Sequence, residues 1–343
     1  MRVGIVNVTG YAGAELARLL HFHPEAQLTS VTGRAAMGKR LTEVFPHLWQ
    51  MELPIEAELG DVEFAFSALP HAASAEAVAP LVEAGLPVVD ISADFRLRDA
   101  AEYESWYGVP HPAPHLLCQA AYGLTELNRE GVRRARLVAN PGCYPTGALL
   151  ALAPAVAAGI VGPGIVVDAK SGVSGAGRGL GLAYHYSEAN ESVAAYGLEG
   201  HRHLPEITQE LKARWNGTPP RVTFIPHLIP MTRGILTTCY ADLLPDRLGA
   251  GAAAKSEVQA LYRDFYREEP FVRVAAEPPQ TKYTWGNNLC LLYPTVDTRT
   301  GRLVVVSCLD NLVKGAAGQA IQNMNVMMGL PETMGLDQPA VYP

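Results

Sequence analysis

No apolar run in this 343-residue chain approaches the roughly 20 residues that a bilayer-spanning helix needs, which excludes such a helix. Runs of like charge are missing too. The 27 Lys and Arg against 34 Asp and Glu leave a net charge of −7, the wrong sign for a main partner that is nucleic acid or an anionic membrane. An anionic ligand must then be held by local groups rather than by the overall field. Cysteine is sparse: Cys118, Cys143, Cys239, Cys290 and Cys308 are scattered, with no CxxC pair. That pattern excludes a structural zinc site and predicts no metal, with reduced thiols in a cytoplasm. No secretory leader is read, because Met1-Arg2 runs straight into strand-like sequence. Internal repeats and low-complexity tracts are absent. What remains is 48% apolar and 18% charged, an ordinary globular composition, long enough for two domains and a large core.

The stretch that organises the rest is 138–154, VANPGCYPTGALLALAP. Asn140-Pro141-Gly142 is turn chemistry: the proline biases Asn140 toward extended backbone and the glycine permits unusual dihedrals. Leu137-Val138-Ala139 before the turn reads as a short buried strand. Pro145 suits a first helical turn, and an Ala- and Leu-rich run follows. Cys143 is therefore expected where a strand ends and a helix begins. Backbone N–H groups and the helix dipole favour a thiolate there, and the same N–H groups suit an oxyanion. Most free cysteines are small buried apolar residues; this setting favours a nucleophile.

Residues 2–8 (RVGIVNV) read as a strand, followed by Thr9-Gly10-Tyr11-Ala12-Gly13 and an apolar helix over 14–20. Strand, glycine turn, helix is the first unit of a dinucleotide-binding domain, with the pyrophosphate at the helix N-terminus. In the spacing GxxGxxG the first glycine would fall at position 7, where the chain has Asn7. Asparagine tolerates positive φ, so the turn survives. Residues 27–32 read as a second strand ending in Gly33-Arg34. An arginine there suits a 2′-phosphate, which predicts NADP(H) rather than NAD(H). Further strands are expected over 62–69 and 86–91, with a helix over 74–84. Their carboxyl ends make Ser67, His71 and Arg96 candidates for ligand contact. Residues 103–117 read as an irregular connection.

Beyond the helix after Cys143 the pattern becomes α+β. Gly162-Pro163-Gly164 reads as a turn and 165–169 as a strand. The glycine-rich loop 170–178 that follows has no apolar pattern, and such loops are often functional. Residues 205–215 read as a helix and 222–229, 236–243, 289–292 and 303–309 as strands of one mixed or antiparallel sheet. A last helix is expected over 313–328. A cysteine nucleophile, a dinucleotide turn and a histidine pair some 60 residues downstream are the equipment for interconverting an acyl group and an aldehyde through a thioester.

The segments VANPGCYPTGALLALAP, GYAGAEL, ALPH, DISADFRL, KSGVSGAGR, GHRHLPEI and DNLVKGAAGQAIQNMN together resemble the N-acetyl-γ-glutamyl-phosphate reductases. The resemblance runs from Val3 to Leu336. It implies an α/β chain, with a Rossmann-type dinucleotide-binding domain and an α+β catalytic and dimerisation domain of the semialdehyde-dehydrogenase type. Boundaries are expected at 1–143, 144–312 and 313–343, the last a helix and tail returning to the first domain. It also implies NADPH-dependent reduction of N-acetyl-glutamyl 5-phosphate in arginine biosynthesis, by a homodimer or homotetramer. Carried over by position, Cys143 matches the nucleophile and His201 the general base, with His203 its rival. Glu206 would orient the imidazole. Thr9, Gly10, Tyr11, Ala12, Gly13, Arg34, Ser67, Ser171, Gly172, Ser174, Gly175 and Asn311 fall in cofactor-contacting regions. Arg96, His185, Asn190, Glu191, Arg202 and Lys314 are candidates for the phosphate, acetamide and α-carboxylate of the substrate.

Three other readings are weighed. The related aminoadipate-phosphate reductases of lysine biosynthesis typically carry Asn-Ala-Thr after the cysteine, where this chain has Tyr144-Pro145-Thr146. A non-catalytic NADPH-sensing Rossmann protein has no need of a thiol at a helix start with a paired histidine. A cysteine hydrolase has no use for the glycine turn and Arg34.

Overall fold

The computed structural model describes residues 1–343, which fold as two compact units. The first comprises Met1–Gly142 with Ala316–Gln338, the second Cys143–Gly315 with Pro339–Pro343.

The first unit holds seven short strands: β1 (Arg2–Val6), β2 (Gln27–Thr32), β3 (Ile55–Glu56), β4 (Phe64–Ser67), β5 (Val88–Asp90), β6 (Ala120–Tyr122) and β7 (Leu137–Ala139). They pair in the order β3-β2-β1-β4-β5-β7-β6, and every ladder is parallel. Most of these strands are apolar runs buried along their length, as a parallel sheet covered on both faces requires. The turn after β1 works as expected. Asn7 takes φ 64, and its side chain donates to the Ala68 carbonyl at 3.0 Å and accepts from Thr9 Oγ1 at 2.9 Å. A Cβ on Gly13 would lie 2.6 Å from the Val8 carbonyl oxygen, so only glycine lets the helix Tyr11–Leu20 pack this close to the turn.

The connection expected over 103–117 is partly helical: Ala100–Tyr107 is an α-helix. Asp99 caps it, accepting from the Ala101 amide, and Gly108 ends it at φ 73. Its aromatic composition builds packing rather than breaking it: Tyr103 stacks on Tyr107 at 4.7 Å and meets His111 edge-on.

The last helix, Gly318–Met327, also belongs to this unit and buries Gln319, Gln322, Asn323 and Asn325. Each side-chain amide nitrogen finds an acceptor. Gln319 and Asn323 donate to the Gly123 carbonyl. Asn323 also donates to Asn140 Oδ1 at 3.0 Å, and Asn325 donates to the Glu332 and Met334 carbonyls. A helix this polar can sit in a core because its amide N–H donors are satisfied there.

The second unit adds β8 (Val161–Ser171), β9 (Ala194–Ala195), β10 (Arg221–Leu228), β11 (Ile235–Leu243), β12 (Val272–Val274), β13 (Cys290–Asp297) and β14 (Arg302–Leu309). The order is β12-β13-β14-β11-β8-β10-β9, with β8/β10 and β12/β13 parallel and the rest antiparallel. Gly162-Pro163-Gly164 is not a turn. It lies inside β8, where the register with β11 slips between Ala241 and Leu243. A bulge absorbs the proline that a regular ladder would reject.

Along β11, β13 and β14 buried and half-exposed residues mostly alternate. The buried set faces the helix Cys143–Ala157, whose residues 144–156 are all buried. An α-helix that is apolar all round is a central helix. Pro154 cannot donate to the Leu150 carbonyl. Tyr266 Oη donates to that oxygen at 2.6 Å instead, and Tyr262 Oη donates to the next carbonyl, Ala151, at 2.6 Å.

Candidate active site

Cys143 is the first residue of the central helix, directly after the Pro141-Gly142 turn. The carbonyl of Asn140 before that turn accepts Arg96 Nε at 2.8 Å, and Asn140 Nδ2 donates to the Ala316 carbonyl at 3.0 Å. Asn140 is therefore held by hydrogen bonds rather than by packing alone.

Cys143 opens into a cavity of about 420 Å³ within the second unit. Of the residues expected from sequence, the cavity brings together Cys143, Ser171, Gly172, Gly175, His201 and the rival His203. The glycine-rich loop is more ordered than expected: β8 runs on to Ser171, and Val173–Ala176 form a 3₁₀ turn. Its amides bond to the stretch 231–234: Gly172 to Gly234, Val173 to Met231 and Ser174 to Thr232. A Cβ on Gly172 would lie 2.7 Å from the Thr232 carbonyl oxygen.

His201 lies among rings: Phe224 at 5.3 Å, Tyr196 at 5.5 Å, Tyr144 at 5.8 Å and His203 at 4.8 Å between centroids. Burial in that setting, with Arg202 as the lesser cause, lowers its pKa to about 4. The imidazole is neutral near pH 7. Its Nδ1 accepts the backbone amide of His203 at 3.1 Å, which leaves the ring proton on Nε2. Tyr144 Oη and Tyr196 Oη are 3.0 Å apart. Burial is the first cause raising both phenols, Tyr196 to about 12, so both keep their protons. Sequence reasoning missed Tyr144, Tyr196 and Phe224. Only Tyr144 carried a signal, as the neighbour of the cysteine; the other two come from a loop and a strand with no motif.

The remaining expected residues lie elsewhere. Glu206 is buried in the first turn of the helix His203–Lys212. Asn311 bridges the Gly234 amide and Ser174 Oγ. Lys314 is fully buried, with Nζ 5.5 Å from the Phe271 ring centroid. His185, Asn190, Glu191 and Arg202 are exposed and outside the cavity lining. In the first unit, Arg96 is buried and donates to the Asn140 and Ile91 carbonyls. Ser67 is buried with its hydroxyl 2.6 Å from that of Ser74. His71 sits beside Tyr107.

The dinucleotide turn also belongs to the first unit. No side chain caps the helix Tyr11–Leu20, its first turn has no acidic residue, and a Cβ on Gly10 would meet nothing within 4 Å. An uncapped N-terminus with open space over its glycine fits a pyrophosphate. Arg34 lies two residues past the end of β2 and is exposed.

Comparison with known proteins agrees. The family model "Semialdehyde dehydrogenase, NAD binding domain" matches residues 2–135, and "Semialdehyde dehydrogenase, dimerisation domain" matches residues 143–311. An N-acetyl-gamma-glutamyl-phosphate reductase of Dehalococcoides mccartyi is 54% identical over 343 residues, covering 100% of this chain and 99% of the relative. One from Pelotomaculum thermopropionicum is 50% identical over 354 residues, covering 100% and 99%. Among solved structures, aspartate semialdehyde dehydrogenase from Candida albicans with NADP aligns at TM-score 0.70 and 15% identity, covering 95% of this chain and 98% of that one. Aspartate semialdehyde dehydrogenase II of Vibrio cholerae, complexed with ASA, aligns at 0.69 and 17%, covering 96% and 98%. These two likenesses speak for the fold. With full-length identity of this order and both domain models matched, the chain belongs to the N-acetyl-gamma-glutamyl-phosphate reductase family, within the semialdehyde dehydrogenases.

Proposed function

We propose that the chain reduces N-acetyl-glutamyl 5-phosphate to N-acetyl-glutamate 5-semialdehyde with release of phosphate, a step of arginine biosynthesis. The observation that carries this reading is that Cys143, at a helix start, and a neutral His201 line one cavity. Cys143 Sγ attacks the acyl carbon; the bond from that carbon to the phosphate oxygen breaks, and phosphate leaves with the electron pair. A thioester remains on Cys143. NADPH, when bound, supplies the hydride. His201, neutral at rest, takes the thiol proton as the sulfur attacks; the imidazolium so formed gives a proton to the oxygen that becomes negative and takes it back as the carbon–sulfur bond breaks, freeing the aldehyde and returning the proton to the thiol. A ring that is neutral near pH 7 can accept that first proton. Glu206 is assigned to orienting the imidazole region, and Arg202 and Lys314 to the anionic groups of the substrate, with Arg96 and the polar His185, Asn190 and Glu191.

We place the dinucleotide over Gly10–Gly13, with Ser67 at the strand ends and Ser171, Gly172, Ser174, Gly175 and Asn311 toward the nicotinamide. Arg34 would meet a 2′-phosphate. Arg34→Ala should raise the KM for NADPH at least tenfold and leave that for NADH within twofold; equal losses would remove the preference for NADPH. The scattered thiols fit a cytoplasmic enzyme.

The deciding assay runs in reverse. N-acetyl-glutamate semialdehyde, phosphate and NADP should give NADPH formation at least a hundredfold faster than aspartate semialdehyde at equal concentration. Faster turnover of aspartate semialdehyde would overturn the substrate assignment.

A further inference from the structure

The chain after β14 is fastened more firmly than a strand-to-helix junction requires. Asp310 is fully buried. Its Oδ1 accepts the amides of Leu312 at 2.8 Å and Val313 at 3.2 Å. Its Oδ2 accepts the Gly286 amide at 2.8 Å and faces Arg233 Nη1 at 3.5 Å. Its carbonyl accepts the Gly315 amide at 2.9 Å. Five donors from three parts of the chain thus converge on one residue that does not line the cavity.

What these bonds hold is one turn of π-helix, Val313–Ala317. Such turns carry one residue more than an α-turn and recur at functional sites. Here the wide turn sets backbone against the nucleophile. A Cβ on Gly315 would lie 2.8 Å from Cys143 Cβ and 3.3 Å from Cys143 Cα. Both are carbons close to the main chain, so no flexible side-chain end is available to give way. Asn311 ties the glycine-rich wall of the cavity into the same frame through the Gly234 amide at 2.7 Å and Ser174 Oγ at 2.9 Å.

We infer that Asp310 is a positioning residue, acting through the π turn and Gly315 to set where the Cys143 thiol sits. This rests on the reading of Cys143 as nucleophile. Displacing a reacting atom by about 1 Å costs on the order of a hundredfold in rate. Gly315→Ala should therefore lower kcat about a hundredfold with KM within threefold. Asp310→Asn keeps the acceptor for Leu312 and Val313 but loses the one facing Gly286 and Arg233. It should lower kcat at least tenfold.

The test that needs no substrate is alkylation of Cys143 by iodoacetamide, read by mass spectrometry of the peptide that carries it. At pH 7 the rate at Cys143 should change at least tenfold in both variants, while the rate at exposed Cys118 stays the same. Arg233→Gln, at a half-buried position, covers the case in which the others do not fold, and should change the rate at Cys143 at least threefold. Folded variants that alkylate and turn over within twofold of the parent would overturn the inference. A parent that alkylates at Cys143 but does not reduce the acyl phosphate would refute the substrate reading and leave the alkylation comparison to decide this one.

Discussion

His201 and His203 are two residues apart on one chain and line the same cavity. The ring set around His201 drives its pKa to about 4, whereas the backbone amide of His203 is what fixes its tautomer. His201→Asn should lower kcat by about 10²–10⁴, the range for losing a general acid–base. His203→Asn should cost less than tenfold, and the reverse order in steady-state kinetics would transfer the role. The acid limb of kcat/KM should fall near pH 4 instead of 6.5. A second titrating residue acts on stability. Burial, with Asp94 adding to it, pushes the Asp90 carboxyl up to about 6 against the bonds from Ser92 and Ser74. A raised carboxyl pKa means the folded state holds the proton more tightly. The stabilisation is therefore full below about 3.8 and lost as pH rises through 6, about 3 kcal/mol in all. Asp90→Asn cannot titrate, so the melting temperature of the variant relative to the parent should rise between pH 4 and 7. A constant difference would contradict the assignment.

At the scale of elements, the central helix shows how a local fault is repaired at a distance. Pro154 leaves the Leu150 carbonyl without its helical donor, and Tyr266, just past the end of the helix Ala252–Phe265, supplies one. Tyr266→Phe strands a buried acceptor and should cost about 1–2 kcal/mol in denaturant melts; no measurable loss would mean that water or a neighbour fills the gap. The same repair explains what was legible in the chain. Strand β2 and strand β7 could be read to the residue, because short β-branched runs between turns have few alternatives. Asn7 was legible because its tolerance of positive φ is intrinsic. The helix Ala100–Tyr107 was overlooked although Asp99 and Gly108 mark both ends; the Pro, His and aromatic content nearby drowned them. The bulge at Gly162-Pro163-Gly164 was illegible in principle, since it depends on the partner strand β11. Likewise Cys143 could be singled out from its strand-to-helix setting, whereas His201 stands out over His203 only through the resemblance to the family. Tyr196 and Phe224, which tune His201, are brought to it only by tertiary folding.

At the scale of the whole molecule, one face of the second sheet is packed by helices and the other is not. Val166, Tyr240, Tyr293, Val304 and Val306 lie partly open on that second face. The salt bridge from Asp168 to Lys170 at 2.7 Å lies there too, with His227 Nδ1 3.2 Å from Asp168 Oδ1. A partly apolar sheet face on a domain matched by a dimerisation model is the face expected to meet another subunit in a homo-oligomer. Tyr240→Asp with Val304→Asp should halve the mass seen by sedimentation at micromolar concentration. Retention of the parent mass would move the interface elsewhere.

Residues 175–200 form a wall of the cavity in which no residue is fully buried, and Leu180, Leu182 and Tyr186 stand open to solvent. Such a segment has little to resist a protease beyond its short turns and one short strand pair, and it carries Arg178. Trypsin at low dose should nick the native protein after Arg178 before it touches either sheet. The catalytic cavity is thus the first part of the enzyme to be lost in a protease-rich extract, while the folded mass on either side of the cut survives.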